Sequence, residues 1–375
     1  MLLSVTRSFA SVYTGNGFFS IMAAMKRSFL LVTLITVFLA VFTGCSNAPG
    51  NSALNAAGDR DVKATDKETI TVGFSQVGAE SDWRNINTDS MKQAFSPENG
   101  FDLIYDDGQQ KQQNQITAIR TFIQKEVDYI VLAPVIEDGW NTVLTEAKDA
   151  NIPVILVDRM VNVDDPDLFT CWVGSDFELE GRKVCEWLNE YCKANHIYAS
   201  DINIVNIKGT EGASAELGRS KSLRAAVNKY GWNLLDEKSG DFTQAKGREV
   251  MSRFLRQYDN INVVYCENDN EAFGAIDAIE AEGKTVGSDI RHGEIMVLAF
   301  DGSSDQAVEA VRSGRISCIG ECNPMHGPRV EKIIKNLRNG IIPDKYEYVD
   351  EDIFSADESV RNVKIDGETY PVTVP

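Results

Sequence analysis

The chain has 375 residues, 43% of them hydrophobic, and a formal net charge of −19 at pH 7. An acidic surface of that kind repels nucleic acid and anionic lipid headgroups, which excludes both as partners of the bulk surface and leaves an uncharged solute as the easier ligand. Three histidines and seven cysteines without clustered spacing argue against a metal site, and no phosphate loop or Gly-x-Ser-x-Gly elbow is present.

The first element is an export signal. The basic pair Lys26-Arg27 precedes an apolar run, 28–42, that ends in Phe42-Thr43-Gly44-Cys45. The run fits the core of a signal peptide and falls short of the roughly 18 apolar residues that span a bilayer. Residues 1–44 are therefore expected to be a cleaved signal, with Cys45 carrying the lipid of a lipoprotein. Residues 1–21 lie upstream of the basic pair, so translation is expected to begin at Met22 or Met25. Loss of Arg7, Lys26 and Arg27 makes the remainder more negative still. Residues 45–67 are small and polar, as suits a flexible tether, and the folded part is expected from Glu68. The chain beyond Glu68 is long enough for two domains.

From there short β-branched runs alternate with stretches of helical period, the pattern of βα units and parallel sheets. Strands are predicted over 70–74, 101–105, 129–133, 154–157, 202–207, 232–235, 263–266, 295–300 and 316–319. Helices are predicted over 112–124, 141–149, 178–194, 214–228, 244–257, 270–282, 304–313 and 327–339. The continuous apolar run 154–157 suits a strand covered on both faces. Strands divide about Thr170, which predicts an α/β fold of two doubly wound parallel-sheet lobes.

Polar groups stand just past each strand: Ser75-Gln76 with Glu80-Ser81-Asp82-Trp83-Arg84, then Asp106-Asp107-Gly108, Pro134 and Asp158-Arg159. The second half has Gly209-Thr210-Glu211-Gly212, Ser239-Gly240-Asp241-Phe242, Glu267-Asn268-Asp269, Asp301-Gly302 and Glu321. Ligands of open parallel sheets bind outside the carboxyl ends of the strands, so these groups converge on one crevice per lobe. Two facing crevices would enclose one ligand. Carboxylates accept from hydroxyls, arginine and Asn donate to them, and Trp83 and Phe242 offer apolar faces to a sugar ring. Each group has a plainer use. Asp158 beside Arg159 is read as a ligand contact, Asp107 before Gly108 as a turn, and Trp140 at a helix start as either core or ligand. The cysteines after Cys45, namely Cys171, Cys185, Cys192, Cys266, Cys318 and Cys322, are read as buried free thiols, although an exported chain permits disulfides.

The stretches 71–84 and 107–116, with Ala147-Lys148-Asp149-Ala150, Gly209-Thr210-x-Gly212-Ala213-Ser214, Ser239-Gly240-Asp241-Phe242-Thr243, Lys246-Gly247 and Asn268-Asp269, closely resemble the ribose- and galactose-type periplasmic binding proteins. Within that family the likeness is strongest to the galactofuranose-binding members of ABC importers, and it runs from Glu68 to about Asn339. The resemblance implies a type I binding-protein fold with a three-crossing hinge. The first lobe would comprise 68–171 and 322–347, and the second 172–321 and 348–375. It further implies that Arg159 with Asp158, Arg219, Asn268 and Asp301 bind sugar hydroxyls, that Glu321 replaces a family glutamine, and that Trp83, beside Arg84, and Phe242 sandwich the sugar. With Glu80, these form the expected site. The sequence around Cys266-Glu267 and 320–326 departs from the likeness, which leaves the sugar open among galactofuranose, fructose, ribose and arabinose.

The implied function is an extracytoplasmic receptor, on the outer face of the cell membrane or in the periplasm. It would close over a monosaccharide and deliver it to an ABC permease and its ATPase. A monomer without cofactor or metal is expected. A chemosensory receptor stays open beside it; a carbohydrate-active enzyme would need more than abundant carboxylates, and a DNA-binding regulator would need a basic headpiece.

Overall fold

In a computed structural model, residues 69–375 are described, so the expected signal and tether, with Cys45, lie outside the described residues. The first sheet takes β1 (Ile70–Gln76), β2 (Phe101–Asp107), β3 (Tyr129–Leu132), β4 (Val154–Val157) and β5 (Cys171–Gly174), with helices α1 (Asp82–Ala94), α2 (Gln112–Gln124) and α3 (Asn141–Asp149) between them. The second lobe opens with α4 (Phe177–Ala194). It continues through β6 (Asn203–Lys208), α5 (Ser214–Tyr230), β7 (Asn233–Ser239), α6 (Gln244–Gln257), β8 (Val263–Cys266), α7 (Asp269–Ala281), β9 (Met296–Asp301), α8 (Asp305–Arg312) and β10 (Cys318–Glu321). Then come α9 (Gly327–Arg338), β11 (Tyr346–Tyr348), β12 (Ile353–Phe354), β13 (Asn362–Ile365) and β14 (Glu368–Thr373).

The sheets run β11-β5-β4-β3-β1-β2 and β13-β14-β12-β10-β9-β8-β6-β7. The block 2-1-3-4-5 of the first recurs as 7-6-8-9-10 in the second, each all parallel. The strand order reverses between β1 and β3 and again between β6 and β8. A doubly wound sheet opens its crevice at such a reversal. All four residues of β4 are buried, as a strand covered on both faces requires.

The chain passes between the sheets three times. β5 pairs with β4 and with β11, so the first sheet extends to Gly174 and the expected boundary after residue 171 falls inside a strand. The first passage is therefore at Ser175-Asp176. The second follows β10, because α9 returns to lie on α1, where Gly327 N donates to Ser90 Oγ at 3.1 Å. The third runs over 349–352, between β11 and β12.

Among the described residues no helix is long and apolar enough to cross a membrane. The six cysteines there are free and buried, in keeping with thiols that pack as small hydrophobes.

Candidate ligand-binding site

The carboxyl ends of the two sheets face each other across a cavity. Its walls are Glu80, Ser81, Trp83, Arg84, Asp158, Arg159, Phe177, Ala215, Arg219, Phe242, Asn268, Asp301 and Cys322. The empty space counted out to the mouth is about 290 Å³.

Local structure explains how each group reaches the cavity. Ser81 caps α1 by accepting from Arg84 N at 3.2 Å, which places Trp83 and Arg84 in the first turn, with Arg84 in reach of Gln76 at the end of β1. Asp158 follows β4 with φ 62°, and Asp301 ends β9 with φ 94°. Phe242, in the turn after β7, has φ 60°. Left-handed backbone at a non-glycine residue is uncommon, and at all three positions it turns the side chain out of the strand direction.

Three guanidinium groups organise the polar wall. Arg84 donates through Nη2 to Asp158 Oδ2 at 2.6 Å, through Nε to Glu80 Oε1 at 3.0 Å and through Nη1 to Gln76 Oε1 at 3.1 Å. Arg159 donates to the Val135 carbonyl at 2.8 Å and lies 3.6 Å from Glu80 Oε1. Arg219 donates through Nε to Glu180 Oε2 at 2.8 Å and through Nη1 to the Glu267 carbonyl, while its Nη2 is 3.5 Å from Asp301 Oδ1.

Burial opposes each charge, and the neighbours decide the outcome. For Arg84 the carboxylates Asp158 and Glu80 outweigh burial and raise its affinity for the proton. For Asp158 burial is outweighed by Arg84 and Arg159, which hold it below the usual carboxylate range. Arg159 is pushed down to about 10 by burial and by the like charge of Arg84. Burial pushes Asp301 up to about 7 against the pull of Arg219. Three arginines thus face three carboxyl groups on the lining, a set close to balance. Such a wall suits a neutral polyol, because an anion or a cation would leave one charge unpaired.

The apolar wall joins Trp83, Phe177, Ala213, Ala215, Phe242 and Cys322 in one cluster. Arg159 lies over the Phe242 ring at 5.1 Å, and Arg84 over the Trp83 ring at 4.7 Å. Trp83 Nε1 donates to the Cys322 carbonyl at 2.7 Å, so the indole spans from the first lobe to the second passage.

Direct bonds between lobes show a closed arrangement. Glu137 N donates to Gly212 O at 2.9 Å, Met160 N to Ser214 Oγ at 2.9 Å, and Asp82 N to Asn270 Oδ1 at 2.9 Å.

Of the ten residues expected at the site, nine line the cavity. Glu321 does not: its Oε2 accepts from Asp352 N at 2.8 Å and its Oε1 from Asn323 at 3.5 Å, so it is turned to the third passage. Asn268 is shared between cavity and fold, since its Oδ1 accepts from Glu271 N as the cap of α7 and its amide donates to Phe242 O. Asp107 forms a turn, accepting from Gln109 N at 2.8 Å. Trp140 is fully buried and donates to the Ile136 carbonyl, as a core residue. Sequence reasoning missed Phe177 and Ala215, which open α4 and α5 and read there as ordinary apolar helix residues.

Comparison with known proteins agrees with this architecture. Residues 72–324 match the model of the periplasmic binding protein domain. The chain is 40% identical over 281 residues to the galactofuranose-binding protein YtfQ of Escherichia coli (strain K12), spanning 74% of this chain and 85% of that one. A Mycobacterium smegmatis protein solved in complex with beta-D-fucofuranose superimposes with a TM-score of 0.72 at 36% identity, covering 78% of this chain and 93% of that chain. The binding protein component of the arabinose ABC transporter of Shewanella sp. ANA-3, bound to alpha and beta-L-arabinofuranose, superimposes with a TM-score of 0.71 at 36% identity, covering 77% and 93%.

Proposed function

The chain belongs to the periplasmic binding protein domain family, and from that premise we propose that it is the sugar receptor of an ABC importer, taking one neutral monosaccharide in its furanose form. The observation that carries this reading is the lining itself: three arginines set against three carboxyl groups, with Trp83 and Phe242 on the apolar side, in a space of about 290 Å³. Hydrogen bonds in which one partner is charged contribute about 1.5–3 kcal/mol each, so a few suffice for useful affinity. The furanose preference is supported by the ligands named for the fucofuranose and arabinofuranose complexes and for the galactofuranose-binding relative.

Closure removes the sugar from water and completes a surface that neither lobe has alone, which is what a permease and its ATPase can read. In this proposal a lipid on Cys45 keeps the receptor at the outer face of the membrane, and residues 45–67 supply the reach. The protein works as a monomer and has no catalytic step.

Calorimetric titration with galactofuranose, fucofuranose, L-arabinose, D-fructose and D-ribose, with glucuronate as a charged control, tests the reading. Binding of at least one neutral sugar, and not of the glucuronate, is expected. Heat from none of the neutral sugars would sink it.

A further inference from the structure

On the hinge side of the cavity, acidic groups from separate segments gather where the chain passes between lobes. A carboxyl oxygen of Glu180 on α4, the thiol of Cys322 in the second passage and a carboxyl oxygen of Glu351 in the third lie within 4.8 Å of one another. Glu351 Oε1 accepts from Ser175 Oγ at 2.5 Å and from Asn323 N at 2.8 Å. One carboxyl oxygen therefore ties together residues of all three passages. On the other side, Glu180 Oε2 accepts from Arg219 Nε at 2.8 Å, and Arg219 reaches Asp301 in the cavity.

Glu180 is buried, and its second oxygen, Oε1, accepts from no backbone, amide, amino or guanidinium hydrogen. What lies within 4.8 Å of the carboxyl group is the carboxyl of Glu351 and the weakly donating thiol of Cys322. Two carboxylates at that range, one buried and one half-buried, repel, whereas a carboxylic acid can donate to the orphan acceptor. The cations nearby are already committed. Arg219 faces the far oxygen of Glu180 and Asp301, and Lys183 donates to the Glu351 backbone carbonyl at 2.6 Å with its ammonium over the Tyr370 ring. Glu321 and Asp352 belong to the other side of the third passage, where the Glu321 carboxylate takes the Asp352 amide.

We propose that Glu351 and Glu180 share one proton across the hinge, and that this pair is a positioning device that holds Arg219 toward the sugar only while the three passages are in their closed arrangement. Burial and the charge of Glu180 push Glu351 up to about 9, in keeping with a proton retained at neutral pH. Rotation of the lobes alters the backbone at all three passages together, and a carboxyl–carboxylate bond survives only a small separation. The same three atoms would make a poor divalent-cation cage, because the Arg219 guanidinium is 2.8 Å from Glu180 and burial pushes the Cys322 thiol up.

The inference rests on the proposed sugar-receptor function. Its test is sugar affinity from pH 6 to 10 in wild type, Glu351→Gln, Glu351→Ala and Glu180→Gln, all checked for folding by circular dichroism. With one proton taken up on closure, wild-type affinity falls by up to about tenfold per pH unit as pH rises toward about 9 and levels off above it. Glu351→Gln keeps an acceptor for Ser175 and a donor for Glu180 but cannot ionise, so the part of the decline that Glu351 contributes disappears. Glu351→Ala weakens binding at pH 7 by about tenfold or more, and Glu351→Gln rescues it. Glu180→Gln weakens binding across the whole range by removing the charge that holds Arg219.

Asp301 and the neighbouring Asp269, whose affinities for the proton are also raised by burial, are common to wild type and Glu351→Gln, so the ratio of those two curves isolates Glu351. An alkaline decline in Glu351→Gln equal to that of wild type overturns the proposal, as does stoichiometric Zn²⁺ uptake that Cys322→Ser abolishes. Failure of wild type to bind any sugar counts instead against the receptor function. The pair is then read in the unliganded protein, where a shallower fall in Tm between pH 7 and 9 in Glu351→Gln than in wild type supports it and an equal fall overturns it.

Discussion

Asp158, Phe242 and Asp301 hold a backbone conformation that costs non-glycine residues on the order of 1–3 kcal/mol each, and all three line the cavity. Surrounding contacts keep them there: Trp172 Nε1 donates to the Asp158 carbonyl, and Glu271 accepts from Phe242 N. Arg159→Ala is expected to weaken sugar binding by about 2–5 kcal/mol, measured by calorimetry, because it strips a countercharge from the carboxyl groups of Glu80 and Asp158, which stay buried. Trp83→Phe removes the indole that donates to the Cys322 carbonyl, so it is expected to lose most of the sugar-dependent fluorescence change; a variant that keeps the full signal would assign it to another tryptophan. Position after a strand was enough to find most lining residues in the sequence, since the end of a strand dictates where the next side chains go. It failed at Glu321, which does end a strand, because the Asp352 amide that captures its carboxylate comes from a passage that no strand or helix periodicity marks.

At the scale of elements, helices packed without side chains between them are the sensitive points. Gly274 on α7 sits so near α6 that an added Cβ would lie 2.1 Å from the Gln244 carbonyl oxygen and 2.6 Å from Arg248 N. Those are backbone atoms and cannot swing aside, so Gly274→Ala is expected to destabilise the protein by about 1–3 kcal/mol in urea unfolding while leaving the m-value alone. The regular elements were legible: helices 112–124, 141–149 and 244–257 and strands 154–157 and 263–266 stand where hydrophobic period placed them. Helix α1 was missed because it buries Arg84, Asn87, Thr88 and Ser90, polar residues that give no apolar stripe. Strand β5 was missed because Cys171-Trp172-Val173-Gly174 is too short to show a period, and β11 to β14 because they are short or largely exposed.

At the scale of the whole molecule, buried acids govern the response to pH. Burial pushes Glu267 and Asp301 up to about 7 and Glu351 up to about 9. Each keeps a proton in the folded state that the unfolded chain releases above its ordinary value of about 4, so folding stability falls as pH rises through that interval. On the acid side, His326 is pushed down to about 4 by burial, and Asp158 lies below its ordinary range. The first loses stability as pH drops from about 6.5 toward 4, and the second as pH drops below about 4. The ligand-free protein is therefore expected to melt highest at mildly acidic pH and progressively lower toward pH 9, which a thermal melt across pH 4–9 checks; a Tm that climbs steadily to pH 9 would contradict it.

The return of α9 and β11 to the first lobe has a consequence for the order in which the protein can be built. A ribosome makes β1 to β5 early, yet the strand that pairs with β5 and the helix that covers α1 emerge only after the whole run from α4 to β10. The lobe begun first cannot be finished until most of the second has been made. Until residue 348 has been made, β5 is an open edge, so nascent chains should stay susceptible to proteases and to chaperone capture nearly to the end of synthesis.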